Sequence, residues 1–415
     1  MRIALIHQHY LRPGQAGGSR FNEMARWWTE AGCEVWVIAG QVEYTSGLKP
    51  RSYKRAGLWV REDDGPVKVL RAYTPDTYHR TFFGRAVSLA GFGASATAAL
   101  AALPPCDVIV ATSPPLTVAL AGIAARVLRG WPLVFEVRDL WPESAVATGV
   151  LADDSMVTSA LYRLEKLANG FAAHTVALTP AIAASTTSRG FQTPEQTSLI
   201  PNGADADFLA APFDVQDRER LRRQLGWEDR FVILYAGAHG VANHLEQLLD
   251  VAECLRDDPR ILLAAIGDGP LKPGLVTASK ARGLSNLAWL DPVAHDQIHR
   301  YFDAADCAAA VLKKTPTFET VYPNKVFEGM ARARPILCVV DGVARALVEE
   351  NGAGVFAPPE SPGEIARVIR ALAADPESAK KMGERGRELV LARFQRRELA
   401  MRYLDLLEQV VAQHQ

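Results

Sequence analysis

Short apolar runs alternate with amphipathic stretches along nearly the whole chain. Arg2–Ile6 (RIALI) leads through a glycine-containing loop to a helical pattern over Phe21–Glu30 and then to the run Glu34–Ala39 (EVWVIA). The same rhythm continues through Val67–Ala72, Asp107–Ala111 (DVIVA), Leu133–Val137 (LVFEV), His174–Leu178 (HTVAL) and Leu199–Pro201, with a helix over Leu116–Leu128. Runs this apolar, separated by helical segments, predict parallel strands covered on both faces by helices. A second series opens after Gly226: Phe231–Tyr235 (FVILY) runs into GAHG, and Ile261–Ile266 (ILLAAI) runs into GDGP. Leu287–Leu290, Cys307–Val311, Pro335–Val340 and Gly354–Phe356 continue it. The pattern predicts two α/β domains of similar architecture, residues 1–205 and 206–395, followed by an amphipathic packing helix over 396–415. In such sheets ligands bind beyond the carboxyl ends of the strands, so a cleft between the domains is the expected site.

One segment breaks the rhythm. From Ala86 to Cys106 (AVSLAGFGASATAALAALPPC) no residue is charged, yet the stretch is rich in Ala, Gly, Ser and Thr and ends in Pro-Pro. Its hydropathy is too weak for a bilayer span, and a buried or interfacial helix is expected. The chain of 415 residues is too long for one ordinary core, and its 48% hydrophobic and 22% charged content is that of a globular protein. A formal net charge of -1 gives no reason to expect nucleic acid. The five cysteines (Cys33, Cys106, Cys254, Cys307, Cys338) lie far apart, without metal-ligand spacing, so reduced buried thiols and no zinc site are expected. MRIALIHQHY reads as a strand rather than a signal peptide, and a cytoplasmic location is expected.

The polar residues of TVYPNKVFEGMARARPIL, starting at Thr320, are unusual. Asn324 is read as the N-cap of a short helix, with Lys325 in its first turn and Glu328 on the same face. A lysine there opposes the helix dipole, which makes sense if an anion binds. The free N–H groups and Lys325 suit a diphosphate, and an ionised Glu328 suits two neighbouring hydroxyls such as those of a ribose. A solvated Lys–Glu pair gives the same spacing. The GAHG turn (Gly237–Gly240) with His239, and Asp268 in GDGP, follow strands and precede helices, as ordinary glycine turns also do. Gly14, Gly17 and Gly18 in RPGQAGGSR form a third loop, but not a GxGxxG fingerprint. EVWVIAG runs on to Gln41 without an acidic residue, which argues against a nicotinamide dehydrogenase. FEVRDLWPES puts Arg138, Asp139 and Glu143 just past a strand end in the first domain, where a plain surface ion pair is the other reading.

Taken in order, HQHYLRPGQAGGSRFNEMARWW, FEVRDLWPESAVATGVL, LIPNGAD, LYAGAHG, IGDGP and FETVYPNKVFEGMARARPIL resemble a family-four retaining glycosyltransferase of the GT-B type. The branch resembled builds bacterial O-antigen, capsule and exopolysaccharide, and the likeness covers nearly the whole chain. It implies two Rossmann-like domains facing across a cleft, with the C-terminal helix returning to the first. It also implies a nucleotide-sugar donor held mainly by the second domain and an acceptor held mainly by the first. By this resemblance Glu328 binds the donor ribose, and Lys325 holds the diphosphate with the backbone of Gly237–Gly240 and of Gly17–Gly18. Asn324 and Asp268 belong to the same donor side. Arg138, Asp139 and Glu143 fall on the acceptor side, with Asp139 orienting or deprotonating the acceptor. No metal and no cofactor are expected, because lysine and helix dipoles supply the positive charge.

Two departures from the family pattern stand out. Many members carry a second glutamate eight residues before the ribose-binding one; here that position is Thr320, with Glu319 displaced by one. The usual Arg and Lys of the first donor-domain loop are also missing, since GAHGVANHL offers Val241, Asn243 and His244. His239 and Glu319 are therefore expected to fill part of these catalytic roles. Nine basic residues against four acidic ones between Lys49 and Arg85, interleaved with Tyr73, Tyr78, Phe82 and Phe83, suit contact with an anionic membrane surface. The resemblance adds a reason, since relatives act on glycan or polyprenyl-diphosphate-linked acceptors at the inner face of the membrane. The donor is expected to be UDP-linked. A GT-B sugar-nucleotide epimerase, a degenerate glycosyltransferase serving as a partner subunit, and a two-domain ligand-binding protein are the competing readings.

Overall fold

The structure is a computed structural model describing residues 1–12, 15, 20–43, 48–53, 57–77, 82–294 and 296–414, with Phe82 and Phe83 described by backbone only. The chain divides into two compact units, Met1–Pro201 with Arg396–Gln415, and Asn202–Gln395.

In chain order the first unit contains β1 (Arg2–Ile6), α1 (Arg20–Glu30), β2 (Glu34–Gly40), β3 (Trp59–Asp64), β4 (Val67–Ala72), α2 (Phe82–Ala99) and β5 (Val108–Ser113). It continues with α3 (Val118–Arg129), β6 (Leu133–Val137), α4 (Glu143–Ala147), α5 (Met156–Phe171), β7 (His174–Ala177), α6 (Pro180–Ser188) and β8 (Thr197–Leu199). The sheet order is β3-β4-β2-β1-β5-β6-β7-β8. All neighbours pair in parallel except β3, which runs antiparallel to β4 from Trp59↔Ala72 to Asp64↔Val67. The polar sequence WVREDD hides this edge strand, because an edge needs no apolar run on both faces. β1, β2, β5 and β6 are almost wholly buried, as their continuous apolar runs require.

The uncharged stretch forms α2 and a 3-10 turn at Leu100–Ala102. Its small residues serve packing. A Cβ on Gly93 would lie 3.1 Å from the Thr117 carbonyl, and one on Gly91 would lie 2.7 Å from Pro75, so these glycines let neighbouring segments approach. Its serines bond to backbone, Ser88 to Pro75 O at 2.8 Å and Ser95 to Tyr73 O at 2.5 Å. No helix among the described residues is long and apolar enough to cross a membrane. One core cluster joins α2, α3 and the C-terminal end of α5 to a face of the sheet.

The second unit contains α7 (Ala206–Ala210), α8 (Val215–Leu225), β9 (Phe231–Ala236), α9 (Glu246–Cys254), β10 (Ile261–Ile266), α10 (Lys272–Ala281), β11 (Leu287–Leu290) and α11 (Ile298–Ala304). Beyond these lie β12 (Cys307–Val311), α12 (Asn324–Ala331), β13 (Ile336–Val339), α13 (Val343–Glu350), β14 (Gly354–Phe356), α14 (Pro362–Ala374) and α15 (Pro376–Arg393). Its sheet is wholly parallel in the order β11-β10-β9-β12-β13-β14. The connections leave β9 and β12 in opposite directions, so the loops after these two strands part at a switch point. The last helix, α16 (Arg396–Ala412), packs on the first unit. Leu399, Tyr403, Leu407 and Val410 enter its core beside Phe21 and Trp28, and Trp28 Nε1 donates to Ala400 O at 2.9 Å.

Candidate functional site

The switch point of the second unit gathers most of the expected site residues. Strand β9 ends at Ala236, and Gly237 follows with φ 149. A Cβ on Gly267, after β10, would lie 1.9 Å from the Gly237 carbonyl, so the two strand-end loops touch backbone to backbone. From the other side of the switch point comes α12. Lys325 lies in its first turn and reaches back to the glycine loop: its Nζ is 3.3 Å from where a Gly237 Cβ would stand. The Nζ is also 3.4 Å from Tyr235 Oη and 4.6 Å above the Tyr235 ring. Burial lowers the Lys325 ammonium to about 8, against the raising effect of Glu328 one turn along the helix. Lysine, glutamate, helix start and glycine loop are therefore one constellation.

The cap of α12 differs from the sequence expectation. Pro323 holds the N-cap position with φ -61 and ψ 131 and provides no side-chain cap, so the helix begins at Asn324. The Asn324 side chain instead accepts a 2.6 Å hydrogen bond from Asn202, linking α12 to the PNGAD segment. Proline is tolerated here because the first N–H groups of a helix lack intrahelical partners anyway.

His239 is completely buried, its ring 5.5 Å from Trp289 and 6.1 Å from Tyr235. Neither ring nitrogen has a partner at hydrogen-bond geometry, although the Ile266 carbonyl is near enough to favour the charged form somewhat. Burial, with Lys272 adding to it, lowers His239 to about 4, so the imidazole is neutral at pH 7. Gly240 has open space around it, with only Asn243 Oδ1 at 3.9 Å from an added Cβ. Asp268 is exposed; its carboxylate accepts from the Gly269 N–H at 2.8 Å, and its carbonyl accepts from the His239 N–H at 2.8 Å. Glu319 is exposed on the 3-10 turn Pro316–Thr320, where its backbone crowds Gly342. It borders a cavity of about 70 Å³ with Lys313, Lys314 and Asp341. Thr320 Oγ1 donates to the Thr317 carbonyl at 2.7 Å. Gly14, Gly17 and Gly18 lie outside the described residues.

In the first unit, Arg138 and Asp139 follow β6. The Arg138 N–H donates to Ser113 O at 2.9 Å and its guanidinium to Pro114 O at 2.7 Å, across the loop after β5. Burial raises the Asp139 carboxyl, against the pull of Arg138. Glu143 is engaged elsewhere: Arg189 binds it at 3.1 Å and also holds Glu165 at 2.9 and 2.5 Å. Glu143 is thus part of an ion-pair network joining α4, α5 and α6.

Residues 15–203 match the glycosyl transferase 4-like domain, and residues 217–389 match glycosyl transferases group 1. The chain belongs to the group 1 glycosyltransferases. An alpha-D-kanosaminyltransferase of Streptomyces kanamyceticus is 27% identical over 180 residues, 43% of this chain and 45% of its own. A putative colanic acid biosynthesis glycosyl transferase, WcaI of Escherichia coli K12, is 29% identical over 133 residues, 32% of each chain. These matches span half or less of the relatives' own length. Among solved structures, Anabaena HepE in complex with UDP superposes with a TM-score of 0.71 at 18% identity, covering 99% of this chain and 100% of that one. The glycosyltransferase fold is thus GT-B, with two Rossmann-like domains.

Two residues of this glycosyltransferase went unread in its sequence. Tyr235 looked like the last apolar residue of a strand, and only the return of α12 brings Lys325 to its hydroxyl. His7, immediately after β1, is 5% exposed with its Nδ1 unpartnered. Burial lowers it well below the ordinary histidine value, with Arg138, His9 and Arg71 adding to the effect. The available signal was position: HQH follows an apolar strand at its carboxyl end.

Proposed function

We propose that this chain is a retaining glycosyltransferase that moves a sugar from a UDP-linked donor to a glycan or polyprenyl-diphosphate-linked acceptor in surface polysaccharide synthesis. The carrying observation is the Lys325 ammonium beside Gly237 at the switch point, with Glu328 on the same helix. HepE, solved with UDP and with UDP-glucose, supports the choice of donor, and WcaI supports the choice of pathway class. In this reading the diphosphate lies between the glycine loop and the start of α12, and Glu328 accepts hydrogen bonds from the ribose hydroxyls. The anomeric carbon–oxygen bond to phosphate breaks while the acceptor hydroxyl attacks from the same face. The hydroxyl proton passes to the departing phosphate. Lys325 and the backbone N–H groups stabilise the charge that builds on the leaving diphosphate, where preorganised donors do most. Asp139 orients the acceptor hydroxyl, and the neutral His239 buttresses the glycine loop.

Calorimetric titration with UDP and a panel of GDP- and ADP-linked sugars tests this. Lys325→Ala and Glu328→Ala are each expected to weaken UDP binding about ten- to a hundredfold, the range for hydrogen bonds to charged groups. Unchanged binding in both variants would sink the assignment. Asp139→Asn is expected to slow transfer with donor binding intact.

A membrane contact belongs to the same proposal, on a different surface from the one its sequence suggested. Part of the Lys49–Arg85 tract is engaged in the fold, while Arg51 and Arg61 stay exposed. Arg71 is buried on Glu62 and the Tyr10 carbonyl, Lys68 pairs with Glu34, and Lys49 sits 3.7 Å over Tyr73. Lys54, Arg55, Tyr78 and Arg80 lie outside the described residues. Helices α3 and α5, by contrast, expose Val127 (59%), Leu128 (75%), Met156 (90%) and Leu167 (52%). Their only carboxylate, Glu165, is buried against Arg189, so the exposed charges Arg129, Arg163 and Lys166 are all cationic. Such a face suits an anionic bilayer surface at the inner side of the cell membrane. Failure to co-sediment with phosphatidylglycerol vesicles at low salt would remove this part.

A further inference from the structure

In the donor-site reading, Lys325 is the cation that meets the diphosphate. Resting on that reading, we propose that Tyr235 is the positioning residue for Lys325: its hydroxyl accepts an ammonium N–H, donates its own proton to the Ala238 carbonyl, and so fixes both the cation and the glycine loop.

The direction of this relay is set by chemistry alone. The Ala238 carbonyl can only accept, so the Tyr235 hydroxyl, 2.8 Å away, must donate to it. An ammonium can only donate, so the remaining phenol lone pairs face Lys325 Nζ at 3.4 Å. Two N–H groups of Lys325 are then left for phosphate oxygens. The ring holds the same cation from below, with its centroid 4.6 Å from Nζ. Tyr235 is itself immobile: it is 1% exposed and pairs in register with Ala265 of β10. A lysine on a flexible four-carbon stem loses much rotamer freedom when it clamps an anion, and a rigid partner that orients it beforehand removes part of that cost. A phenylalanine would fill the same core position, so the hydroxyl is accounted for by its two hydrogen bonds, to Ala238 and to Lys325.

The charged and titratable groups facing Lys325 are Glu328 from its own helix, Tyr235 from β9, and His239 from the glycine loop. Tyr235→Phe keeps the ring and removes the hydroxyl, so the Ala238 carbonyl loses its donor, and the Lys325 ammonium loses a stabilising lone pair and deprotonates at lower pH. Calorimetry with UDP across the pH range 7 to 9.5 is the experiment, with ¹³C NMR titration of the lysine side chains in the unliganded protein alongside it. In the variant, UDP affinity is expected to fall about fivefold near neutral pH, the range of an ordinary hydrogen bond rather than a charged one because the contact is long. The alkaline loss of binding and the Lys325 resonance should both move down by about one pH unit. Tyr235→Phe with an unchanged Lys325 titration overturns the proposal, even if the variant melts earlier, because a packing role would lower the melting temperature alone. Wild-type protein that binds no UDP overturns the donor-site reading instead, and the unliganded titration still decides whether Tyr235 holds the lysine.

Discussion

His239 shows how one side chain can carry a pH dependence for the whole domain. The unfolded imidazole takes up its proton near its ordinary value of 6.5, whereas in the folded chain it does so only near 4. Between those values the unfolded state binds more protons, so the stability of the second unit rises with pH across that window and is lost as pH falls through it. The shift is worth about 3 kcal/mol when complete. His239→Gln, which does not titrate, is expected to flatten the dependence: urea midpoints at pH 7 and pH 4 should differ less in the variant than in wild type. Parallel slopes would show that His239 escapes burial at low pH. Lys325 has the opposite consequence for function. Its ammonium form falls away above pH about 8, so anion binding should weaken on the alkaline side while the fold stays intact. The lysine was legible as a residue out of place. Its contact with Tyr235 was not, because Tyr235 lies ninety positions away in sequence.

At the scale of elements, a buried ion pair ties the first helix to the centre of its sheet. Arg20, at the start of α1, contacts Glu136 of β6 at 3.0 Å and donates to the carbonyls of Ile200 and Pro201 at 2.9 and 2.5 Å. Thr112 completes the set by donating to the other Glu136 oxygen at 3.0 Å. Both charged side chains are nearly inaccessible, at 6% and 0% exposure, so removing one strands the other without water. Arg20→Met is expected to destabilise the first unit by about 3–5 kcal/mol, read from its urea transition. Adding Glu136→Gln should recover a large part, since the stranded charge is then gone. A double variant no more stable than Arg20→Met would mean that the carbonyl contacts, rather than the pair, dominate. Glu136 sits within LVFEV, which reads as a strand despite its charge, and only the fold reveals that Arg20 meets it. Strand β3 was missed for a related reason: pairing, not hydrophobicity, defines it.

At the scale of the molecule, the chain leaves the first unit after Pro201 and returns to it at Arg396, so α16 completes a core that was begun by β1. Arg396 marks the return, paired with Glu23 of α1 at 3.1 Å while almost fully buried. The outer faces of α3 and α5 carry the membrane prediction at this scale. Leu128→Glu with Leu167→Glu should abolish vesicle binding and leave UDP affinity unchanged, because neither side chain packs in a core. Wild-type binding to phosphatidylcholine as strong as to phosphatidylglycerol would remove the electrostatic part. A concentration-dependent dimer dissolved by the same substitutions would mean that a second copy, not lipid, covers this face.

Local regularities determined much of this by themselves. Continuous apolar runs must be buried on both faces, and helices between them impose a parallel order, so the α/β class and nearly every strand were legible in the sequence. Proline, glycine and a lysine in a first helical turn likewise marked α12 as a place where an anion is welcome. What lies far apart in the chain was decided by tertiary structure alone. Lys325 meets Tyr235 because β12 lies next to β9 and α12 returns over it, whereas its grouping with Gly237 was already implied by the family resemblance. The pairing of Glu143 with Arg189, which follows another helix, was likewise invisible in the sequence. Two cations of the basic tract were engaged in the same way, once Arg71 and Lys68 found Glu62 and Glu34 across neighbouring strands. A charge reads identically in sequence whether it faces water, a ligand or a partner, and only packing chooses among them.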